Sequence, residues 1–342
     1  MVLFLILEFL KKIVAEIRYQ IVYYALGSTA QLEDFIYAKD NRVDIIDKTG
    51  QIAVVTGGSR GIGLHVVRML LQCNMHVIIG CRNTEAGETA IASLRAAGIT
   101  KGTAECFKLD TGSLTSVRTF ARKVVSAHPK INILVNNAGI MFVPFSLTED
   151  GIESQQAVNY IGHFVLTQEL LPSLETAGRQ SSNGTKSRIV NVSSCAYAAG
   201  TINYSDFNNK SGYIASAAYA QSKLAQLISS VHMSRLFTEN NIPVNVYAVH
   251  PGIVNTELFD GTAFKKFLPW VPKLLFKSPE NGAMPIVHAA ISPAIENRSG
   301  IYISNCRETP IKKYILNPSE GYKLHKFTFD LIKSISPKKI SS

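Results

Sequence analysis

The chain has 342 residues, 46% of them hydrophobic, which is enough to bury one sizeable α/β core and does not require a second domain. Its five cysteines have neither a metal-ligand spacing nor the density of a disulfide framework, so we predict reduced thiols and no metal site. The formal net charge is +10, but the basic residues are dispersed, with local enrichment at 265–277 and in the C-terminal tail; this pattern argues against a nucleic-acid partner and favours an anionic cofactor or a membrane surface.

The first predicted element is an amphipathic helix in an N-terminal extension at 1–46. Charged residues interrupt its apolar sequence too often for a transmembrane span, since a charge near the centre of a span costs roughly 2.5 to 3.5 kcal/mol. One apolar stripe nevertheless recurs at steps of four and three residues. The stripe consists of Leu3, Leu7, Leu10, Val14, Ile17, Ile21 and Tyr24. Such a helix can lie in a membrane interface, form a dimer seam or pack on its own domain. We favour the membrane interface, with a short signal anchor as an alternative.

Downstream of this helix, short apolar segments alternate with helical patterns. The predicted strands are 52–56, 76–80, 103–109, 131–136, 188–193, 244–249 and 301–303. The predicted helices are 64–72, 85–96, 116–126, 151–173 and 216–239. This alternation predicts an α/β fold with one doubly wound parallel sheet of the Rossmann type, in a single domain at 47–305. A basic C-terminal extension follows at 306–342, and we expect its tail around Lys333, Lys338 and Lys339 to be a solvated or membrane-touching end.

A glycine-rich turn lies between the first strand and the first helix of this domain. It reads Thr56-Gly-Gly-Ser-Arg-Gly-Ile-Gly63. Gly57 permits the tight turn, Gly61 lets the backbone approach a phosphate, and Gly63 lets the helix pack close to the strand. Because a helix N-terminus also favours negative charge, the turn predicts a pyrophosphate site. A plain strand-helix turn that is rich in glycine is the alternative.

Tyr219 and Lys223 are spaced one turn apart on one face of a predicted helix. An ammonium beside a phenol favours the phenolate, so the pair predicts a tyrosine that can act as a general acid or base. A single pair at this spacing also occurs on ordinary solvated helices. Here the pair follows a glycine turn and a serine pair after a predicted strand, and these motifs should meet at the carboxyl edge of the sheet.

From about Gln51 to Asn305, the chain resembles the short-chain dehydrogenases/reductases. Five motifs occur in the order of that family. They are the glycine turn, Asn136-Asn137-Ala138-Gly139, Asn159 within Val-Asn-Tyr-Ile-Gly-His, Ser193-Ser194 followed by Tyr219 and Lys223, and Pro251-Gly252-Ile-Val-Asn-Thr256. Within the family, the stretches 218–225, 251–256 and 275–283 look most like the X-linked dehydrogenase/reductase branch, whose neighbours include the retinol dehydrogenases.

The resemblance implies an oxidoreductase that transfers a hydride between a nicotinamide cofactor and an alcohol or carbonyl. Tyr219 would exchange the substrate proton, while Lys223 would lower the pKa of Tyr219 and contact the nicotinamide ribose. Ser194 would hydrogen-bond the carbonyl oxygen, and Asn159 would position a water in a proton relay. The resemblance assigns Ser194 rather than Ser193, because the retinol dehydrogenase relatives carry the catalytic serine second in the pair.

The cofactor expected is NADP(H) in preference to NAD(H). An acid often ends the second strand of NAD sites, whereas this chain has Arg82 there. In the family pattern, Arg60 lies close enough to add a second cation to a 2′-phosphate. Either arginine pointing into solvent is the alternative. Asp110 resembles the family's adenine-contacting aspartate, although it is equally suited to cap 111–113. The expected cofactor contacts are Gly57, Ser59, Arg60, Gly61, Ile62, Gly63, Arg82, Asp110, Asn137, Ala138, Gly139, Tyr219, Lys223, Pro251, Gly252 and Thr256.

Two segments are predicted to form the walls of a substrate pocket. The first is the insertion 195–218, with the aromatic residues Tyr197, Tyr204, Phe207 and Tyr213. The second comprises Phe259 and 264–276, where apolar residues alternate with lysines as in a lipid-facing lid. An amphipathic helix packed on the core is the alternative for this segment. A lid implies a lipophilic alcohol or carbonyl substrate of the polyprenoid, retinoid or sterol class.

The resemblance also implies attachment to the endoplasmic reticulum membrane, and a homodimer through the long helices before Ser173 and around Tyr219. Two other functions are consistent with the fold. One is a catalytically silent nucleotide-binding partner protein, and the complete catalytic set argues against it. The other is an enzyme of related fold that acts on nucleotide sugars without redox chemistry, and the short region after Asn305 leaves little room for its substrate domain.

Overall fold

The computed structural model describes the backbone of residues 2–259 and 275–335, and in the first helix it describes the side chains of residue 14 and from residue 16 onward. The helices in this range are α1 Val2–Ile36, α2 Gly61–Gln72, α3 Thr84–Ala96, α4 Leu114–Ala127, α5 Ser154–Gln156, α6 Gly162–Arg179, α7 Ala215–Glu239, α8 Pro279–Ile291 and α9 Pro318–Ile335. A π-helical turn, Ala157–Ile161, joins α5 to α6. The strands are β1 Ile52–Thr56, β2 His76–Cys81, β3 Thr103–Lys108, β4 Ile133–Asn136, β5 Ser187–Val192, β6 Val244–His250, β7 Tyr302–Ser304 and β8 Arg307–Glu308.

All these strands belong to one sheet in the order β3-β2-β1-β4-β5-β6-β7-β8. Neighbours from β3 to β7 pair in parallel, and β8 pairs antiparallel with β7. The chain runs from β1 towards one edge of the sheet and then returns to the other side of β1 for β4, so the strand order reverses between these two strands. Ligands bind at such a switch point, beyond the carboxyl ends of the strands. The predicted doubly wound α/β fold is confirmed.

Helices cover both faces of the sheet. On one face, α4, α6, α7 and α9 enclose an apolar cluster that includes Phe120 and Tyr160, and on the other face α2 and α8 enclose a cluster that includes Leu70 and Ile286. Each fully buried aliphatic or aromatic side chain stabilises the fold by about 1.5 to 3 kcal/mol. The central strands are therefore rigidly packed, and they fix the positions of the loops at their carboxyl ends.

The predicted strands and helices are all present, with ends shifted by a few residues. The sequence did not predict α8, α9 or β8. Helix α8 contains Pro285 and is buried over most of its surface, so it lacks the one-sided apolar pattern by which a helix is recognised.

The C-terminal extension contains a helix that packs on the domain. Lys333 is exposed, but the helix that carries it, α9, buries Leu324, Thr328 and Ile332 in the core cluster. The Thr328 and Tyr160 hydroxyls lie 2.8 Å apart in a buried hydrogen bond. One face of this helix is therefore apolar and packs on the domain, while Lys333 lies on the exposed side. Residues 336–342, which include the other two tail lysines, lie outside the described range.

Helix α9 also covers the long helices that were predicted to form a homodimer. It packs along α7, where residues 218–234 are all buried within the single chain. Its Phe329 ring packs on Phe164 of α6, with ring centroids 5.3 Å apart. A homodimer through this face would require α9 to leave it, and the homodimer stays a prediction.

Helix α1 has the predicted amphipathic character. The described members of its apolar stripe, Val14, Ile17, Ile21 and Tyr24, are between 53% and 64% exposed. Another face packs on the domain, where Gln20 Nε2 donates to Ser216 Oγ at 2.8 Å. Among the described residues, no helix has both the length and the apolar character required to cross a bilayer. Thus α1 packs on its own domain and leaves the apolar stripe uncovered.

Candidate active site

The glycine turn joins β1 to α2 at the carboxyl edge of the sheet. Gly57 and Gly61 have φ angles of +67° and +54°, which residues with a Cβ rarely adopt. A Cβ on Gly63 would lie 2.2 Å from the Gly57 carbonyl oxygen, so the close packing of helix on turn requires glycine there. Among the described side chains, none caps the N-terminus of α2, which leaves its first N–H groups for an anion. The turn therefore fits a dinucleotide pyrophosphate.

The loop after β4 is hydrogen-bonded to this turn. Asn137 Nδ2 donates to the Thr56 carbonyl at 2.9 Å. The backbone N–H groups of Asn137 and Ala138 donate to Thr56 Oγ1, each at 2.9 Å. A Cβ on Gly139 would lie 3.3 Å from Asn159 Oδ1. The loop thus connects the candidate cofactor site to one of the predicted catalytic residues.

The two arginines predicted to bind a 2′-phosphate differ in their surroundings. Arg82 directly follows β2 and is exposed, and its guanidinium forms no hydrogen bond or ion pair with another described residue. Arg60 pairs with the carboxylate of Glu257, and both side chains are more than 60% exposed. An exposed ion pair contributes at most about 1 kcal/mol. Arg82 is therefore the guanidinium that is open to an anion, whereas Arg60 would first have to leave its carboxylate partner.

Asp110 lies after β3, at the entrance to α4. Its carboxylate accepts a hydrogen bond from the Gly112 N–H at 2.9 Å, and its own N–H donates to Ser116 Oγ at 2.9 Å. These contacts support the capping alternative for this residue. The adenine contact implied by the family resemblance stays a prediction.

Tyr219 and Lys223 lie one turn apart on α7, and both side chains are almost fully buried. Lys223 Nζ lies 5.8 Å from the centroid of the Tyr219 ring and donates a hydrogen bond to the Val192 carbonyl at 2.7 Å. Burial lowers the pKa of Lys223 to about 7. Burial also raises the pKa of the Tyr219 phenol, and a hydrogen bond with the Ser194 side chain opposes this rise.

The expected lowering of the Tyr219 pKa by Lys223 is not present in this structure. The ammonium is hydrogen-bonded to a backbone carbonyl rather than to the phenol, and a lysine with a pKa of about 7 carries only part of a charge at neutral pH. Desolvation of the phenolate is therefore the larger effect. Without a bound cofactor, Tyr219 is protonated at neutral pH and can donate a proton.

The two serines after β5 have different surroundings. Ser193 is buried and its hydroxyl donates to the Lys223 carbonyl at 3.2 Å, which holds the end of the strand on α7. Ser194 is half-buried, and its Oγ accepts from the Ala196 N–H at 3.2 Å and hydrogen-bonds the Tyr219 side chain. This difference supports Ser194 as the serine with the accessible hydroxyl.

Asn159 is fully buried in the π-helical turn. Its Oδ1 accepts from the Ile140 N–H at 2.9 Å, and its Nδ2 donates to the Ile140 carbonyl and to Ser222 Oγ, each at 3.0 Å. Both N–H donors are therefore used, so the side chain could hold a relay water only as an acceptor. The contacts that the structure shows for Asn159 are with the loop after β4 and with α7.

His163 was noticed in the sequence only as part of a motif. The structure buries it between Thr56 and Asn159, with Nε2 3.0 Å from Thr56 Oγ1 and Nδ1 3.2 Å from the Asn159 carbonyl oxygen. Burial, aided by the charge of Lys223, lowers its pKa to about 3. His163 is therefore neutral, with one nitrogen as donor and the other as acceptor. It links the glycine turn to the π-helical turn.

The loop 251–256 closes the crevice on the side of α8. The backbone of Lys277 accepts from the Asn255 N–H at 2.9 Å and donates to the Ile253 carbonyl at 2.8 Å. Thr256 Cγ2 lies 3.8 Å from the position of a Cβ on Gly61, so this loop meets the glycine turn. Five of its residues line the same pocket as Tyr219, among them the three predicted cofactor contacts Pro251, Gly252 and Thr256.

A pocket of about 440 Å³ opens at this edge of the sheet. Tyr219 and Ser194 line it, and Ile62 of the glycine turn borders it. Most of its other lining residues are apolar, among them Met141, Phe142, Val254, Leu258, Leu275 and Phe276. A pocket of this size with a few polar groups at one place suits an apolar molecule that carries one oxygen function.

The four aromatic residues of the insertion 195–218 are not among the residues that line this pocket. Tyr204 and Phe207 pack against Phe327 of α9, with ring centroids 5.3 and 5.1 Å apart. The other two, Tyr197 and Tyr213, pack against Tyr302 and Phe145. The insertion therefore lines the pocket through other residues, because these rings have aromatic partners that the sequence did not reveal.

Both predicted wall segments contribute residues to the pocket lining. The insertion contributes Cys195, Ala196 and Ala199. Leu275 and Phe276, the described end of the predicted lid, also line the pocket, whereas residues 260–274 and the Phe259 side chain lie outside the described part of the chain. Helix α1, the loop after β4 and the loop 251–256 contribute most of the other lining residues, and the sequence did not predict the contribution of α1.

Away from this crevice, His76, Glu105 and His128 place their side-chain ligand atoms within 4.8 Å of one another. Glu105 Oε1 lies 3.0 Å from His76 Nε2 and 2.5 Å from His128 Nε2, and His76 Nδ1 contacts Thr103 Oγ1 at 2.6 Å. Hydrogen bonds within the cluster account for this geometry. The residues come from β2, β3 and the end of α4, so their spacing in the sequence could not reveal the cluster.

Comparisons with known proteins agree with this geometry. Residues 51–265 match the model of the short chain dehydrogenase family. The chain is 39% identical to a polyprenol dehydrogenase of Danio rerio over 268 residues, which cover 78% of the chain and 82% of that relative. It is 37% identical to retinol dehydrogenase 13 of Mus musculus over 295 residues, which cover 83% of the chain and 84% of that relative.

A solved structure, the RhlG/NADP active-site complex of Pseudomonas aeruginosa, is similar with a TM-score of 0.59 and 26% identity, covering 76% of the chain and 96% of that structure. The family match extends over more than half of the chain, and relatives above 30% identity cover more than two thirds of it. The protein therefore belongs to the short-chain dehydrogenases/reductases and is an NAD(P)-dependent oxidoreductase.

Proposed function

We propose that the protein transfers a hydride between NADP(H) and a lipophilic alcohol or carbonyl compound at a membrane surface. One observation carries this proposal: Ser194 and Tyr219 lie at the polar end of a largely apolar pocket of about 440 Å³ that also borders the glycine turn. An oxygen function placed between these two side chains would have its hydrocarbon part against apolar residues.

Each catalytic side chain has a role that follows from its position. Ser194 and Tyr219 hydrogen-bond each other, so both can donate to one substrate oxygen and stabilise the negative charge that develops on it. The bound nicotinamide supplies the hydride chemistry. In the reducing direction the Tyr219 phenol gives its proton to the substrate oxygen, and in the oxidising direction the phenolate accepts it. A phenolate at Tyr219 favours the charged form of Lys223, and the resulting ammonium stabilises the phenolate in turn.

The preference for NADP(H) rests on Arg82. A guanidinium binds a phosphate with two charge-assisted hydrogen bonds, and Arg82 is exposed at the end of β2 without a described partner. The similar solved structure named above is a complex with NADP, which supports the same cofactor here. Binding of NAD(H) with lower affinity is compatible with this arrangement.

The substrate class and the membrane rest on two further observations. The two relatives are named for the oxidation of a polyprenol and a retinol, both of which are lipophilic alcohols, and the pocket lining here is largely apolar. The exposed apolar stripe of α1 would place that pocket beside a lipid surface. The endoplasmic reticulum stays a prediction that rests on the family resemblance.

The experiment follows NADPH and NADH absorbance with detergent-solubilised protein and a panel of lipophilic aldehydes and ketones. We expect turnover with NADPH, and a loss of about 10²- to 10⁴-fold in kcat for Tyr219→Phe, which removes the proton donor. Tyr322→Phe is the matched control, because this exposed tyrosine lies on α9 and does not line the pocket.

The outcome against the proposal is cofactor binding without turnover of any panel member, unaffected by the change at Tyr219. That result would favour the alternative of a nucleotide-binding protein without redox activity. Turnover that requires Tyr219 but proceeds equally with NADH would retain the reaction and reject the cofactor preference.

A further inference from the structure

Helix α1 forms one wall of the pocket that contains the catalytic residues. Its contribution consists of Tyr23, Tyr24, Leu26, Gly27, Ser28 and Gln31. The rest of the pocket comes from the loops at the carboxyl edge of the sheet. The pocket therefore exists in this form only while α1 is in place.

A buried polar cluster holds the end of α1 on the active-site loops. The Asp34 carboxylate lies 2.8 Å from Lys277 Nζ, accepts from the Ile253 N–H at 3.0 Å and accepts from Asn305 Nδ2 at 3.2 Å. Ile253 belongs to the loop that lines the pocket. To break a buried ion pair with these additional hydrogen bonds is costly, because the partners left behind would be charged and unpaired away from water. The position of α1 is therefore defined by specific contacts rather than by apolar packing alone.

Farther towards the middle of α1, aromatic contacts connect the helix to the catalytic tyrosine. The Tyr23 ring packs edge-on against Phe142 at 5.6 Å between centroids, and Phe142 packs edge-on against Tyr219 at 5.9 Å. Phe142 has a φ angle of +57°, a conformation that is uncommon for a residue with a Cβ. The loop after β4 therefore presents this ring in a constrained position between α1 and Tyr219.

The exposed face of α1 is apolar in the turns around Tyr23. Ile17, Ile21, Val22 and Tyr24 are each more than half exposed. Tyr24 also lines the pocket, so the rim of the pocket and the exposed apolar surface meet at this residue. Hydrocarbon that leaves the pocket at this rim would continue along an apolar surface rather than into water.

We propose that α1 is the wall that selects the hydrocarbon part of the substrate, with Tyr23 as the specificity-determining residue and the rim at Tyr24 as the passage to a bilayer. This inference rests on the proposed function and deepens it. It names long-chain lipid alcohols and their aldehydes as the ligand class, with the oxygen at Ser194 and Tyr219 and the chain along α1.

The first test is photolabelling of the full-length protein in phosphatidylcholine vesicles. The probe is a geranylgeraniol analogue that carries a diazirine on its chain, and peptide mass spectrometry reads out the labelled positions. We expect label on the peptide that contains Tyr23 to Gln31, reduced at least fivefold by unlabelled geranylgeraniol. Label that is confined to peptides outside α1, or that the competitor does not reduce, overturns the inference.

The second test compares the kcat/KM ratio of a long-chain isoprenoid aldehyde to that of a short, water-soluble aldehyde. Loss of apolar contacts to the chain weakens binding of its transition state by roughly ten- to two-hundredfold, whereas the short aldehyde has no chain to lose. We expect the ratio to fall at least tenfold in Tyr23→Ala and at least threefold in Tyr23→Leu, which retains part of the apolar surface. Tyr322→Ala, on α9, should leave the ratio unchanged.

An unchanged ratio in both Tyr23 variants overturns the inference, and so does an equal fall for the two aldehydes, since that would show only that Tyr23 supports Tyr219 through Phe142. Thermal unfolding of each variant establishes that it is folded, and Tyr23→Leu provides the measurement if Tyr23→Ala is not. Specific labelling of α1 without turnover of any aldehyde would reject the proposed reaction but retain α1 as a lipid-binding wall, so the two failures are distinguishable.

Discussion

The Asp34 carboxylate lies 2.8 Å from the Lys277 ammonium, and both side chains are less than 10% exposed. This contact joins α1 to Lys277, whose backbone is hydrogen-bonded to the loop after β6. A carboxylate and an ammonium so far from water stabilise each other, and the removal of one leaves the other buried and unpaired.

We therefore expect Asp34→Ala to lower the free energy of unfolding by about 3 to 5 kcal/mol. The matched control is Asp40→Ala, because Asp40 pairs with Arg307 at 3.0 Å while both side chains are about half exposed. Exposed pairs contribute at most about 1 kcal/mol. Denaturant unfolding of both variants measures the difference, and equal losses would contradict the assignment of Asp34 to a buried structural pair.

Replacement of Arg82 should change the choice of cofactor. In Arg82→Gln, we expect the KM for NADPH to rise about ten- to a hundredfold, because a hydrogen bond to a charged group contributes roughly 1.5 to 3 kcal/mol. The KM for NADH should change little, since NADH has no 2′-phosphate. Arg60→Gln is the comparison, and its effect should be smaller because Glu257 already occupies that guanidinium. A similar rise for NADPH and NADH would show that Arg82 does not read the 2′-phosphate.

We expect replacement of Ser194 to affect catalysis and replacement of Ser193 to affect stability. Ser194→Ala removes a hydrogen-bond donor to the developing negative charge, so we expect kcat to fall by about 10²- to 10³-fold. Ser193→Ala should instead lower thermal stability, because its hydroxyl holds the end of β5 on the Lys223 carbonyl, while kcat stays within a few fold. Steady-state kinetics and thermal unfolding of both variants test this. If Ser193→Ala lost the greater part of kcat, the roles would be reversed.

Lys223 should make the stability of the cofactor-free protein depend on pH. Burial lowers its pKa from 10.5 to about 7 in the folded state, so between these values the unfolded chain binds more protons than the folded one. Stability therefore rises with pH in this window, by at most about 1.4 kcal/mol per pH unit, and the effect is constant below pH 7.

In Lys223→Met, the free energy of unfolding should rise less steeply with pH, because the one proton that the unfolded wild-type chain binds in excess is absent. Urea unfolding at pH values of about 7.5 and 9.5 gives the slope for each protein. Lys326→Met is the control, because Lys326 is exposed on α9 and pairs with Asp330. An equal slope in the wild type and in Lys223→Met would show that Lys223 is charged in the folded state.

The sequence by itself determined the order of strands and helices, the doubly wound sheet and the candidate catalytic set. These features are local. A buried strand has a continuous apolar run, the glycine turn at Gly57 to Gly63 depends on backbone conformations that few other residues adopt, and the spacing of Tyr219 and Lys223 follows from one helical turn. Local signals of this kind can be recognised before any long-range contact is known.

Only the tertiary structure decided that α1 forms a wall of the pocket and how the catalytic groups are solvated. Asp34 and Asn305 are 271 positions apart in the chain, and no periodicity indicates that α1 lies over the crevice or that α9 covers the aromatic residues of the insertion. The protonation of Tyr219 likewise depends on burial by several elements together. Desolvation is a property of the assembled site, and here it outweighs the adjacent lysine that the sequence placed one turn away.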